Sequence, residues 1–292
     1  APGVGDDSRG LATMLAFARA LDAAKIRTRH GLLFVATVGE EGRGNLRGVR
    51  HLFTESAYKD RIGAFFSLDG SQPARVTHGA VGSKRYRVTF KGPGGHSYGA
   101  FGIVNPMAAM SLAVTELYKI EPPKEPKTTY VASVTGGGRS INAIPDTVFM
   151  DFDMRSRDPQ ALAALEKSFL TILDEAAAAE NKARSTKVGA VTVDPELVGD
   201  RPAGATPREA GIVLYTEAAV RAAGFTPQLN ASSTDSNIPM SLGIPAVTIS
   251  PGAEGERAHS LDEYVEIGRD ATLKGMSGGL VAILATAGME LR

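Results

Sequence analysis

The sequence predicts an α/β protein whose chain is interrupted by an α+β block. Strand-sized apolar runs without polar alternation, at 32–38, 64–68 and 244–250, are typical of strands covered on both faces, as in parallel sheets. Segments with apolar residues every three or four positions separate them and predict helices. Between 79 and 193 the strands instead alternate apolar and polar residues, which indicates a sheet with one exposed face.

The chain begins with a glycine- and proline-rich loop that ends in Asp6-Asp7-Ser8. Apolar residues then recur at helical spacing to about residue 21, so we predict a helix with Asp7 or Ser8 as its N-cap. Capping needs only one of these side chains, which leaves Asp6 without an obvious structural role. A second helix is predicted near 46–55.

Two predicted buried strands end in carboxylates. The run 32–38 leads to Glu40 and Glu41, and the run 64–68 leads to Asp69. Open α/β sheets place their chemistry in the crevice beyond the carboxyl ends of the strands. We therefore expect these acidic side chains at one edge of the sheet.

The block from 79 to 193 follows the order strand–helix–strand–strand–helix–strand, which is the split βαβ or ferredoxin-like plan. It includes an Ala/Leu-rich helix over 159–180, and its last strand is predicted near 187–193. We interpret this block as a second domain inserted into a first domain, which is made of 1–78 and 194–292.

The α/β pattern returns after the insertion. Its predicted elements are, in chain order, a linker over 194–206, a helix near 209–223 that stops at Gly224, a polar loop over 230–237, the buried strand at 244–250, a glycine-rich loop carrying His259, and a helix near 270–284.

Composition excludes several classes of function. Lys+Arg and Asp+Glu balance at 32 each, so no basic field recruits nucleic acid. The apolar runs are far shorter than the roughly 20 residues of a membrane span, so we expect a soluble protein without membrane partners. The sequence leaves the compartment open: we expect the cytoplasm, or the periplasm or exterior if a leader lies upstream. Because cysteine is absent, any metal must be held by His, Asp or Glu.

Four separate elements are predicted to bring acidic groups and one imidazole together. They carry Asp6, the pair Glu40 and Glu41, Asp69, and His259. A lone loop histidine is usually a surface residue, but this convergence favours a ligand. One imidazole with several carboxylates suits zinc, with Co²⁺ or Mn²⁺ as alternatives.

A serine hydrolase is the competing interpretation. The segment Gly275–Gly279 matches G-x-S-x-G, which needs a strand–turn–helix setting and a histidine later in the chain. Here it lies inside a predicted helix, and the last histidine, His259, precedes it. We reject this interpretation.

Nine short motifs carry a family resemblance. In chain order they are GVGDDSRG, TVGEEG, SLDG, GGHS, INAIPD, DMRS, STDSN, GIPAV and AHSLDEYV. In this ordered set the chain resembles the co-catalytic zinc exopeptidase and deacylase family, which includes carboxypeptidase G, peptidase T, acetylornithine deacetylase, succinyl-diaminopimelate desuccinylase and aminoacylase. The resemblance implies a mixed-sheet α/β catalytic domain with an inserted ferredoxin-like lid, through which the protein forms a homodimer.

The resemblance also implies two Zn²⁺ ions per subunit and assigns their ligands. Asp6 matches the carboxylate that bridges the two ions, and the Asp6–Asp7 peptide bond would be cis. Glu41 and His259 match ligands of the first zinc, and Asp69 matches a ligand of the second.

Five further residues acquire roles from the same resemblance. Glu40 matches the general base, and His96 matches a lid histidine that reaches the neighbouring subunit's site and helps to hold the oxyanion. Asn142, Arg155 and Arg201 resemble the groups that grip a substrate carboxylate, a task for which the two-pronged arginine side chain is suited.

One motif of the family is missing from the sequence. A His-x-Asp segment upstream of the bridging carboxylate supplies the other ligand of the second zinc, and residues 1–292 contain no counterpart. We expect either that the chain lacks its N-terminal part or that it is a defective homologue. For residues 1–292 as they stand, we expect at best one well-formed metal site, made of Asp6, Glu41 and His259, and less than full activity.

Two hypotheses about function therefore stay open. The first is a metal-dependent amidohydrolase acting on a small peptide or N-acyl amino acid with a free carboxylate. The second is an inactive, truncated homologue that dimerises or binds a ligand. Within the first, the sequence does not distinguish a dipeptidase from a carboxypeptidase or a deacylase.

Overall fold

The computed structural model describes residues 1–290, and the chain divides into two compact units. Unit 1 combines Ala1–Val81 with the chain from Pro202 onward, and unit 2 is Gly82–Arg201. The helices are α1 (Arg9–Ala23), α2 (Arg47–Thr54), α3 (Pro106–Leu117), α4 (Pro159–Ala183), α5 (Gly211–Ala222), α6 (Asn237–Ser241) and α7 (Arg269–Ala287). The strands are β1 (Phe65–Leu68), β2 (Arg75–Ala80), β3 (Gly82–Lys91), β4 (Gly95–His96), β5 (Thr128–Gly137), β6 (Ala143–Ile144), β7 (Thr147–Ser156), β8 (Thr192–Arg201), β9 (Gly204–Ala205), β10 (Gln228–Ser232), β11 (Ala246–Ile249), β12 (Gly255–Glu256) and β13 (Tyr264–Val265).

Unit 1 is built around a mixed sheet with the strand order β1-β11-β2-β10, and β9 also pairs with β2. The pairs β1–β11 and β2–β10 are parallel, whereas β11 and β2 are antiparallel. All four residues of β11 are buried. Val76, Val247 and Ile249 pack with apolar residues of α5 to form the core. The predicted mixed α/β sheet is confirmed.

The predicted strand at 32–38 is wrong. This segment has no regular secondary structure, and Phe34 and Val38 are exposed. A strand needs a neighbour that accepts and donates its backbone hydrogen bonds, and within residues 1–290 nothing pairs with the free edge of β1. The apolar run lines an open cavity instead.

Two strands of the sheet, β2 and β10, were not predicted, and β10 lies partly in a segment that we expected to be a loop. Both strands carry polar side chains that hide the strand pattern. These side chains satisfy each other across the pair, since Thr77 Oγ1 donates to Asn230 Oδ1 at 2.7 Å.

Unit 2 has the strand order β5-β7-β3-β8, which is the order of the split βαβ plan. The residues of β7 alternate between buried and half-buried along the strand. Helices α3 and α4 pack on the buried face of the sheet. In the core, Phe152 stacks on Phe169 with ring centroids 4.6 Å apart. The ferredoxin-like prediction is confirmed for this unit.

The last strand of unit 2 lies further along the chain than predicted. We expected it near 187–193, followed by a linker, but β8 runs from Thr192 to Arg201. It contains Pro195, which resembles a linker residue. Because β8 is an edge strand whose one partner among the described strands is β3, a proline is tolerated there.

The helices begin at residues suited to capping. Asp7 Oδ1 accepts the Gly10 N–H at 3.0 Å ahead of α1, as predicted. Asn105 and Asp158 cap α3 and α4, and each is followed by a proline in the first turn, where the missing N–H costs nothing. Gly224 follows α5 with φ at 81°, a conformation that favours glycine.

Candidate metal centre

Asp6 lies in the irregular turn Val4–Ser8 that leads into α1. The peptide bond between Asp6 and Asp7 is cis, as the family resemblance implies. Since Asp7 provides the cap of α1, the Asp6 carboxylate is left to other contacts. As the sequence predicted, the cap of α1 does not require Asp6.

Glu41 follows the apolar run and precedes a tight turn over Gly42–Gly44. Gly39 and Gly42 on either side have positive φ angles, and the Glu41 carbonyl accepts the Gly44 N–H at 2.7 Å. The chain thus bends sharply on both sides of Glu40 and Glu41.

His259 lies in the loop between β12 and β13. Its φ angle is 64°, and that of Arg257 is 63°. Non-glycine residues rarely adopt this left-handed conformation, and such residues cluster at functional sites. The loop follows β11, whose carboxyl end lies beside that of its parallel neighbour β1. Therefore His259 reaches the same sheet edge as Asp69, which follows β1.

The structure brings Asp6, Glu41 and His259 together. His259 Nε2 lies 2.8 Å from Asp6 Oδ2 and 3.6 Å from Glu41 Oε1. One potential ligand atom of each residue lies within 4.8 Å of the other two. Among residues 1–290 this is the one group of three or more histidine and acidic side chains with such spacing.

These three residues fit a divalent cation. Zinc sites in enzymes often use three protein ligands and leave a position open for water or substrate. Nitrogen and carboxylate oxygen donors suit zinc, cobalt and manganese alike. The exposed side chain of His259 leaves one side of the site accessible. The donor set therefore agrees with one metal site.

Without a cation, the two carboxylates stabilise a charged imidazole. The hydrogen bond to Asp6, followed by the charge of Glu41, raises the pKa of His259 above its usual value. Metal binding requires a neutral imidazole, so a cation and a proton compete for this side chain.

Asp69 follows β1, and its N–H donates to the Ile249 carbonyl at 3.0 Å. Burial, followed by the negative charge of Asp6 and Glu41, raises the pKa of Asp69 to about 7. Asp69 is thus close enough to Asp6 and Glu41 for their charge to act on its pKa, but it is not part of the cluster.

The pKa of Asp7 is also raised by burial and by neighbouring carboxylates. Withdrawal of its carboxyl group from water, followed by the charge of Asp69, raises the pKa of Asp7 to about 8. Such a concentration of acidic groups is costly unless protons or cations neutralise it. The electrostatics therefore favour a cation at this edge of the sheet.

A cavity of about 1160 Å³ adjoins the cluster. Its lining includes Glu40, Glu41 and Asp69, together with residues 32–37 of the apolar run. Glu40 is close enough to His259 for its charge to help raise the pKa of that imidazole. A carboxylate thus lies next to the proposed ligands without belonging to them.

His96 and Asn142 lie on neighbouring segments of unit 2. His96 pairs with Ala143 across β4 and β6. The Ser97 N–H donates to the Asn142 carbonyl at 2.9 Å. The side chain of Asn142 accepts from the Ser140 hydroxyl. Both predicted site residues therefore share one part of unit 2.

Arg155 and Arg201 lie on the two strands that flank β3, each opposite Ser83. Arg155 Nε donates to Asp153 Oδ2 at 2.7 Å, and Arg201 is buried. The Ser83 hydroxyl is buried and has no hydrogen-bond partner within the described residues. The two arginines are thus in register on one sheet.

Two buried carboxylates near the cluster, Asp235 and Glu263, are functional candidates that the sequence did not indicate. Asp235 accepts from Thr37 Oγ1 at 2.6 Å, and its charge contributes to the raised pKa of Asp69. Glu263 accepts hydrogen bonds from the loop that carries Asp6. Both lie in motifs quoted above, STDSN and AHSLDEYV, but no local pattern distinguishes Glu263 from its exposed neighbour Asp262.

The mixed α/β fold and the cluster of acidic and histidine side chains define a metallo-peptidase or amidohydrolase fold. A family model described as peptidase family M20/M25/M40 matches residues 1–284. The chain belongs to this peptidase family, and the resemblance in the motifs is confirmed.

Solved structures of several peptidases have the same fold as this chain. A tripeptidase from Staphylococcus aureus is 21% identical, with a TM-score of 0.75 over 96% of this chain and 71% of that one. The aminopeptidase PepT from Bacillus cereus is also 21% identical, with a TM-score of 0.72 and the same coverage. A dinuclear metal-binding peptidase from Bacillus subtilis is 15% identical, with a TM-score of 0.66 over 96% of this chain and 72% of that one. No helix among residues 1–290 is long and apolar enough to cross a membrane.

Proposed function

We propose that this chain is a metal-dependent amidohydrolase that cleaves the amide bond of a small peptide or N-acyl amino acid bearing a free carboxylate. The observation that carries the proposal is the cluster of Asp6, Glu41 and His259, whose ligand atoms lie within 4.8 Å of one another beside the cavity. Membership of the peptidase family supports the same reaction class.

Asp6, Glu41 and His259 would hold the first cation, which we propose to be Zn²⁺. A cation bound there supplies Lewis-acid polarisation of the amide carbonyl and lowers the pKa of a water molecule. Asp69 and Asp6 would contribute to a second site, as the family resemblance implies. The raised pKa of Asp69 supports this role, because a second cation would relieve the repulsion among these carboxylates.

Glu40 would act as the general base and then as the general acid. Its carboxylate lines the cavity beside the ligands, so it can take a proton from the attacking water and return it to the leaving amine. Because Glu40 directly precedes Glu41 in the chain, the proposed base lies beside the proposed ligands but is not one of them.

Unit 2 would contribute the substrate-binding groups. Arg155 and Arg201, opposite each other across Ser83, suit a substrate carboxylate, with Asn142 as a further contact. His96 would help to hold the oxyanion of a neighbouring subunit. The exposed aromatic side chains of Tyr98 and Phe101 support a homodimer formed through this unit.

Replacing Glu40 with glutamine tests the proposal. The variant keeps the three ligands but removes the proton acceptor, so we expect bound zinc to stay while turnover falls by about 10²–10⁴-fold. The assay uses a panel of dipeptides and N-acetyl-amino acids together with metal analysis of the same samples. The exposed Glu55 provides a matched control, and Glu55→Gln should keep full turnover.

Two outcomes would contradict the proposal. A chain that binds zinc but hydrolyses no member of the panel would support the non-catalytic homologue instead. Equal turnover in the native chain and Glu40→Gln would remove Glu40 from the mechanism.

A further inference from the structure

Two loops from opposite ends of unit 1 must stay together for the ligand cluster to exist. Asp6 and His259 are 253 residues apart in sequence, yet their side chains lie 2.8 Å apart. Neither residue lies in an α-helix or in a strand of the sheet. Something other than the sheet must therefore fix the Asp6 loop to the His259 loop.

The Glu263 carboxylate makes this connection. Its Oε2 accepts the Gly3 N–H at 2.6 Å, and its Oε1 accepts the N–H groups of Gly5 and Asp6 at 2.7 and 2.9 Å. One side chain thus satisfies three backbone donors in four consecutive residues. Hydrogen bonds from backbone N–H groups to an ionised carboxylate are stronger than those between neutral groups.

Glu263 itself is firmly placed. It is 4% exposed and directly precedes β13, which pairs with β12. The N–H of Gly255 in β12 donates to the Ser71 carbonyl at 2.9 Å, which anchors β12 to the loop that follows β1. The carboxylate therefore extends from an anchored hairpin rather than from the free part of the loop.

The fit between the two loops is close. A Cβ atom added at Gly5 would lie 2.9 Å from Glu263 Oε1, from Ser71 Oγ and from a methyl group of Val265. Real Cβ atoms essentially never approach so closely, so the backbone at Gly5 can only lie against Glu263 because it has no side chain. The loop and the carboxylate are therefore complementary in shape as well as in hydrogen bonding.

We propose that Glu263 is a positioning residue of the metal centre, whose carboxylate fixes the Gly3–Asp6 backbone to the loop carrying His259 and so holds Asp6 and His259 at ligand distance. Its role is exerted through Asp6, whose own N–H it accepts. Supporting groups of this kind decide whether a ligand set is held ready for the metal. The inference rests on the metal centre in the proposed function.

Glu263→Gln tests this role. The amide keeps the shape of the side chain but loses the charge and replaces one acceptor with a donor, which would face a backbone N–H. We expect affinity for Co²⁺, measured from its visible absorption during titration, to fall by about 10–100-fold. In the metal-free protein, we expect faster hydrogen exchange of the amides over residues 3–6.

The matched control is Glu266→Gln, three residues along the same segment, where the side chain is exposed. It makes the same change of charge without contacting the Asp6 loop, so Co²⁺ affinity and exchange should stay at the native level. If Glu263→Gln does not fold, Glu263→Asp provides the same test, because it keeps the charge but is too short to reach all three donors.

The outcomes separate this inference from the proposed function. Native-like Co²⁺ affinity in a folded Glu263 variant would overturn the positioning role while leaving the metal centre intact. Failure of the unsubstituted chain to bind Co²⁺ would contradict the metal centre and, with it, the inference.

Discussion

At the scale of single residues, the site is a concentration of negative charge. Burial and neighbouring carboxylates raise the pKa of Asp69 to about 7 and that of Asp7 to about 8. The ordinary value for both is 3.8. Each folded carboxyl group therefore binds its proton more tightly than the unfolded chain does, and this difference links folding to pH.

These raised pKa values make the folded state of the metal-free protein more stable at low pH than at neutral pH. Below about pH 4 both states are protonated, and the folded state keeps its full stability. Between pH 4 and 8 the unfolded chain loses these protons first, so the metal-free protein becomes less stable as the pH rises. The raised pKa of His259 acts in the same direction, because its stabilising charge is lost as the pH rises through its folded value.

We predict that the Tm of the metal-free chain in EDTA falls between pH 5 and pH 8. Asp69→Asn removes one of the two strongly shifted groups, so its Tm should fall less over this range. Asp22→Asn is the control, because Asp22 is exposed and its one ion pair among residues 1–290 is with Lys25. An equally steep fall in Asp69→Asn and the native chain would contradict this account of the charge cluster.

At the scale of elements, the apolar pattern predicted most helices and several strands but did not report which segments find a pairing partner. The helices other than α6 and the strands β1, β7 and β11 were predicted because apolar spacing reports directly which face is covered. The run 32–38 has the same apolar pattern, but no partner strand pairs with it within the described residues. Conversely, β2 and β10 pair through polar residues, which leave no such signal.

The candidate site residues likewise divide into those that the sequence indicates and those that it does not. Asp6, Glu41, Asp69 and His259 could be proposed from the sequence because they lie at the ends of apolar segments or in glycine-rich loops. Glu263 could not, because its role depends on backbone donors 257 to 260 residues away in sequence. A single sequence does not report such a contact.

The exposure of the run 32–38 gives a test at this scale. Phe34 is 39% exposed, whereas Phe152 in β7 is 1% exposed and stacked on Phe169. We predict that Phe152→Ala lowers the free energy of unfolding by about 3–5 kcal/mol. The same truncation at Phe34 should cost less than about 1 kcal/mol.

Urea unfolding of the two variants measures this difference, with the native chain as reference. Because both changes remove the same atoms, their difference reports burial alone. Comparable losses at the two positions would mean that residues 32–38 are packed as tightly as a core strand, contrary to the structure.

At the scale of the whole molecule, unit 1 is assembled from both ends of the described chain. Its sheet pairs β1 with β11 and β2 with β10, so each pair joins a strand that precedes unit 2 to one that follows it. The ligand cluster depends on the same closure, since Asp6 and Glu41 come from the first part and His259 from the second. Correct pairing of the unit 1 sheet is therefore needed to bring the three proposed ligands together.

The most direct test of the account is calorimetric titration of the metal-free chain with Zn²⁺, alongside Asp6→Asn and the control Asp22→Asn. We predict tight binding by the native chain and by Asp22→Asn. In Asp6→Asn we expect affinity lower by at least about 10–100-fold, because the carboxylate beside His259 is lost. Absence of zinc binding by the native chain, or equal binding by Asp6→Asn, would contradict the claim that Asp6, Glu41 and His259 form a metal centre.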